Sequence, residues 1–249
     1  MSNGIVDMLD QFTFDAIVHC AAILPVSQSG MEAEHAAMAN LAMDKRVLDL
    51  CLQKRCRLIY ISSSSVYGRG TGSIITEEAP LSPIGPYSSA KVASEQTILN
   101  ELPTMSVILR LNAPYGLGQR RRTVLRLFIE RALLDLDLMY HGTGKREQDF
   151  TASEDIGNAI ACAVAVRNAK GIFNIAGGHP ISMRRLAELV VRTVKGSKSR
   201  VLPSGKTDPQ EGYTAIFDIS KARRILGWQP EVSLEQGIRQ WAEYLRQLL

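Results

Sequence analysis

At 249 residues, with 45% apolar side chains, the chain is long enough for one large or two modest domains with a real core. A charged fraction of 22% and a net charge of +4 exclude a disordered chain and leave little basis for nucleic-acid binding. No apolar run approaches the ~18 residues of a membrane span, and MSNGIVDMLD has neither a basic nor an apolar leader segment, so the expectation is a soluble, cytoplasmic protein. The cysteines Cys20, Cys51, Cys56 and Cys162 form no CxxC and the histidines are scattered, which predicts no metal site and buried free thiols in a reducing compartment.

In chain order, DAIVHCAA (15–22) is a short apolar run ending in small residues, the pattern of a buried parallel strand followed by a tight loop. His19 on it reads as a core histidine. From 31 to 53 the periodicity turns helical, with Met43, Val47, Leu50 and Cys51 on one face. RLIYISSSSVYG (57–68) predicts a second strand running into a serine-rich loop, 88–99 a helix, and MSVILRL (105–111) a third strand. A helix over 153–167 and a strand GIFNIA (171–176) follow. Helices over 182–195 and from Ser233 onward close the chain, the last opened by a capping box of Ser233 and Gln236. The run Arg120-Arg121-Arg122 reads as a solvated loop. Alternating strands and helices imply an α/β fold with a parallel sheet.

In such a sheet, ligands bind beyond the carboxyl ends of the strands. Three features fall there: HCAA, SSSSVYG and NAPYG (112–116). YSSAK (87–91) adds a tyrosine one helical turn before a lysine. That spacing is weak evidence alone, but at the start of a helix both side chains can face the same crevice.

The stretches DAIVHCAA, YISSSSVYG, PYSSAK with Glu95, LRLNAPYG, GTGKREQDFTASEDI, FNIAGGHPISM and FDISKARRILGWQPEVSLEQGI stand in one order over nearly the whole chain. In them the chain resembles the NAD-dependent epimerase/dehydratase family of extended short-chain dehydrogenases/reductases. The resemblance implies an incomplete Rossmann-like parallel sheet with a small C-terminal substrate-capping region. Residues 1–115 and 149–177 would form the catalytic core, and 116–148 with 178–249 the cap. It implies NAD or NADP as cofactor and a nucleotide sugar or related hydroxyl or carbonyl compound as substrate. Tyr87 would be the general acid or base, Lys91 the cation that depresses its phenol and binds the nicotinamide ribose, and Ser63 the partner of the substrate hydroxyl. Cys20, Ala21, Ala22, Asn40, Ser62 and Pro114 would line the cofactor side with Tyr87 and Lys91. Ser64, Ser65, Asn112 and Arg146 would line the substrate side.

Three departures qualify this. The family's glycine-rich turn should precede DAIVHCAA by two βα units, yet only fourteen residues stand before Asp15 and Gly4 is alone among them. Weak dinucleotide binding is therefore expected of this chain by itself, and a catalytically silent homologue serving as a binding or subunit partner is the rival reading. Gln148 replaces an arginine that in the family clasps the nucleotide diphosphate, and Ala113 replaces an asparagine. With the preceding strands absent, DAIVH becomes a sheet edge, which predicts a homo-oligomer or pairing with a partner chain.

Overall fold

The computed structural model describes residues 12–26, 29–69 and 73–248; Gly4 lies outside them. Four strands form a parallel sheet in sequence order: β1 (Ala16–His19), β2 (Arg57–Ser63), β3 (Ser106–Leu111) and β4 (Gly171–Ile175). Their registers run Ile17 against Leu58, Tyr60 against Ile108 and Leu109 against Phe173. The helices are α1 (Met31–Lys54), α2 (Pro86–Glu101), α3 (Val124–Leu133), α4 (Ser153–Ala165), α5 (Met183–Thr193) and α6 (Leu234–Arg246).

β2 and β3 are apolar at consecutive positions because both faces of the sheet are covered. Leu58, Tyr60 and Ile108 pack on one side with Leu48 and Cys51 of α1 and Ile98 of α2. Ile59, Val107 and Leu109 pack on the other with Ile156, Ala159 and Ala163 of α4 and with Trp228. Each large side chain buried this way contributes roughly 1.5–3 kcal/mol. A further apolar cluster joins Tyr115, Leu125, Phe128, Leu138, Leu186 and Trp241, drawing on α3, α5 and α6. Helix α3 lies in a stretch for which the sequence pattern predicted no helix.

The expected boundaries hold within one to three residues for most elements. DAIVHCAA is shorter as a strand, ending at His19. The serine run is not a loose loop: Ser63 caps a 3₁₀ turn over Ser64–Tyr67, its hydroxyl accepting from the Ser65 amide at 3.2 Å. Gly68 ends that turn at φ 75°, where a Cβ would collide with the Ser82 carbonyl. The predicted cap at Ser233 is present, its hydroxyl accepting from the Gln236 amide at 3.2 Å.

Among the described residues β1 pairs only with β2, so it is an edge. The side chain left open is Val18 rather than Ile17. Ile17 packs half-buried against the α1 cluster, whereas Val18 points to the other face and is 38% exposed.

Candidate active site

The carboxyl ends of β1, β2 and β3 open into a crevice of about 780 Å³. Cys20 and Ala22 after β1, Ser62 to Ser65 at the end of β2 and just beyond it, Tyr87 and Lys91 from α2, and Pro114 all line it. Ala21, between the first pair, is exposed. The expectation of buried thiols holds for Cys51 and Cys56 but not for Cys162, which is half-buried, nor for Cys20, which is exposed because the chain leaves the sheet there for the crevice rim. All four cysteines are free, and no metal-binding cluster occurs among the described residues.

Helix α2 brings the site together. Pro86 occupies its first position, a place where the missing N–H costs nothing, and Tyr87 follows in the first turn. Lys91, one turn on, is 2% exposed and donates to the Tyr60 hydroxyl at 3.0 Å and the Ile61 carbonyl at 2.9 Å. An ammonium has three N–H donors, so one remains for the crevice. Burial pushes the Lys91 pKa down, with the charges of Asp44 and Glu95 opposing.

The Tyr87 phenol is pushed up to about 12, by burial first and then by the charge of Asp44, against a lowering from Arg121. This differs from the expectation that Lys91 depresses it. Lys91 bonds instead to Tyr60 and Ile61, and Arg121 lowers the Tyr87 phenol by less than burial and Asp44 raise it. Arg120, Arg121 and Arg122 are solvent-exposed as expected of a loop. Yet Arg121 also lines the crevice and donates to the Pro25 carbonyl at 3.1 Å. Sequence alone offered no signal for this, since only the fold brings 121 to the end of β1.

The serines divide their work. Ser62 donates to the Glu95 carboxylate. Ser63 holds its turn. Ser64 donates to Asn112 Oδ1 at 2.9 Å, and Asn112 passes a bond to the Asp149 carbonyl at 2.9 Å. The Ser65 hydroxyl is buried with no hydrogen-bond partner although it borders the crevice. Such a group is costly unless a ligand satisfies it. The open N–H of Lys91 suits a ribose hydroxyl, so this residue fits the expected cofactor, and the unpaired Ser65 hydroxyl suits a hydroxyl of the substrate.

Asn40 is 2% exposed, and its amide clasps Ile23, accepting from N at 2.7 Å and donating to O at 2.9 Å. It braces the loop after β1 rather than lining the crevice. Arg146 borders the crevice beside Gln148, but its guanidinium is already engaged by Asp208 at 2.9 Å and Gln210 at 2.8 Å. Ala113 adopts a left-handed backbone (φ 34°), a conformation asparagine tolerates better than alanine.

Residues 2–176 match the NAD dependent epimerase/dehydratase family. An uncharacterised UDP-glucose epimerase of Bacillus subtilis is 30% identical over 94% of this chain and 75% of its own. A dTDP-4-dehydro-6-deoxyglucose reductase of Escherichia coli is 26% identical over 96% and 78%. Among solved structures, a UDP-glucuronic acid 4-epimerase from Bacillus cereus in complex with NAD superposes with a TM-score of 0.83 at 26% identity, covering 99% of this chain and 78% of that one.

Proposed function

The chain belongs to the NAD-dependent epimerase/dehydratase family, and from that premise we propose that it is an oxidoreductase or isomerase of nucleotide sugars or related hydroxyl compounds. The observation that carries this is the convergence of Ser63, Tyr87 and Lys91 on one crevice at the strand ends. Bound in its oxidised form, NAD(P) would supply the hydride acceptor.

The chain's own residues would do the rest. Ser63 and Ser65 would orient the substrate hydroxyl. Tyr87 would remove its proton. A phenol near 12 is about 10⁵-fold too protonated to act as a base at pH 7, so ligand binding must bring its pKa down. The spare N–H of Lys91 and the cation Arg121 are the groups placed to help. Residues 116–148 and 178–249 would cap the substrate, a division supported by the apolar cluster that α3, α5 and α6 share. Arg146 and Gln148 would meet its polar end.

Incubation with NAD or NADP and a panel of UDP- and dTDP-sugars, with products separated by chromatography, tests the reading. With NAD or NADP raised high enough to offset weak binding, turnover is expected, and Tyr87→Phe should lower it by about 10³-fold with the fold unchanged. A Tyr87→Phe variant as active as the parent overturns it.

Among the described residues no helix is long and apolar enough to cross a membrane. A cytoplasmic location, which four free thiols suit, is part of the proposal. So is association of this chain with a second copy or a partner chain, supported by the open edge of β1. Light scattering that finds a monodisperse monomer removes that part alone.

A further inference from the structure

Asp44 on α1 is 4% exposed, and its carboxylate is surrounded by donors from three elements. Oδ1 takes a bond from His19 Nε2 at 2.7 Å, and Oδ2 takes bonds from the Tyr60 hydroxyl at 2.6 Å and from Ser94 at 2.7 Å. The same Tyr60 oxygen accepts from Lys91 Nζ at 3.0 Å. A carboxylate only accepts, so the chain has one direction, ammonium to phenol to carboxylate, and His19 carries a proton on Nε2.

Asp44 does not line the crevice. It lines a separate cavity of about 170 Å³ between α1 and α2, with Leu41, Lys45, Leu48, Ser94 and Thr97. Its charge therefore reaches the crevice through Tyr60 and Lys91. We propose that Asp44 is a positioning residue, which through the Tyr60 hydroxyl keeps the Lys91 ammonium protonated and fixed on the crevice floor and thereby sets the proton balance at Tyr87. The proposal rests on the roles given above to Tyr87 and Lys91.

The geometry explains why such a residue is required. Lys91 is buried with no carboxylate in hydrogen-bond contact, a costly state for an ammonium. The groups that face it are Tyr60 from β2 and, behind that, Asp44 from α1 and His19 from β1. Glu95 lies on its own helix, but that carboxylate is engaged by Arg110 of β3 at 2.6 Å. Lys45 borders the cavity and is paired with Asp49. Tyr87 lies one turn back, within the influence of Arg121. Burial lowers Lys91 and the Asp44 charge raises it, while both burial and Asp44 raise Tyr87. The sign follows: removing the Asp44 charge makes both groups lose their protons at lower pH.

The test needs no substrate. In the full chain with carbon-13 at the lysine ε position, NMR follows the titration of each ammonium, and Lys91→Met identifies the Lys91 signal. Asp44→Asn, nearly isosteric, is expected to move the Lys91 midpoint down by about one pH unit. Tyr60→Phe, which keeps the carboxylate but cuts the bridge, moves it down by less. A Lys91 midpoint unchanged in Asp44→Asn overturns the proposal even if that variant is less stable, since a purely structural Asp44 would lower stability without moving it. Should Asp44→Asn not fold, an unchanged midpoint in Tyr60→Phe overturns it equally. Absence of turnover in the parent chain would instead remove the proposed function and leave the Lys91 result standing.

Discussion

Helix α2 separates two buried polar networks of opposite character. On one side Glu95 meets Arg110 through both carboxylate oxygens, Arg110 also donates to the Tyr67 hydroxyl at 2.8 Å, and Tyr67 donates to Asn174 at 2.7 Å. Here each charge has its opposite in direct contact, and Arg110 rises although burial alone would lower it, because Glu95 holds it charged. On the other side Lys91 and Asp44 are both buried but a hydroxyl stands between them, and one lysine donor is left over. In the first network the two charges satisfy each other, and only the hydroxyl of Ser62, which donates to Glu95, reaches the crevice. The second is incomplete at the crevice, which is where a protein keeps polar groups that serve chemistry rather than stability.

The largest effect should come from breaking the closed network. Glu95→Ala strands the Arg110 guanidinium at 2% side-chain exposure, and denaturant unfolding should show a loss of about 3–5 kcal/mol. Replacing both partners with apolar residues of similar volume should recover much of it. If Glu95→Ala proves nearly neutral, the contrast between the two sides collapses.

A smaller effect is expected at Asp44. Burial opposes its charge, but bonds from His19, Tyr60 and Ser94 and the charge of Lys91 outweigh that, so its carboxyl lies below the usual carboxylate range. A depressed acid stabilises the fold above its unfolded value, near pH 3.9, and loses that contribution as pH falls through the folded one. Asp44→Asn should therefore cost about 2 kcal/mol at neutral pH. The gap between the two unfolding curves should narrow below about pH 4. A gap that widens in acid would reverse the assigned sign.

The smallest effect calibrates both. Arg239 and Glu235 pair at 3.2 Å on α6 with side chains 60% and 49% exposed. Arg239→Ala should change stability by less than ~0.5 kcal/mol. A loss comparable to that at Glu95 would mean burial is not what distinguishes these pairs.

Much of this was legible in the chain. The apolar runs of β2 and β3, the helical stripe of α1 and the Ser233 cap are local patterns, set by side-chain periodicity and by hydrogen bonds spanning a few residues. The Tyr87–Lys91 spacing and the serine run could be placed at strand ends because α/β topology leaves few alternatives. Helix α3 was missed although Leu125, Phe128, Ile129 and Ala132 stand at i, i+3, i+4 and i+7, a helical period that follows directly on the arginine run read as a solvated loop. Asn40 could be marked as a site residue, but whether it faced a ligand or its own chain depended on the path of the loop after β1.

The amino-acid sequence by itself determined the family, the parallel sheet and the positions of Ser63, Tyr87 and Lys91, because period, spacing and motif order are properties of the chain read linearly. Only the tertiary structure decided where the charges act. That Lys91 bonds to Tyr60 and Ile61 while Arg121 lies in reach of Tyr87, that Arg146 is held by Asp208, and that Asp44 reaches the crevice through a phenol all join residues 16 to 62 positions apart. Electrostatic coupling depends on distance and burial in space, and neither is written in the spacing of residues along the chain.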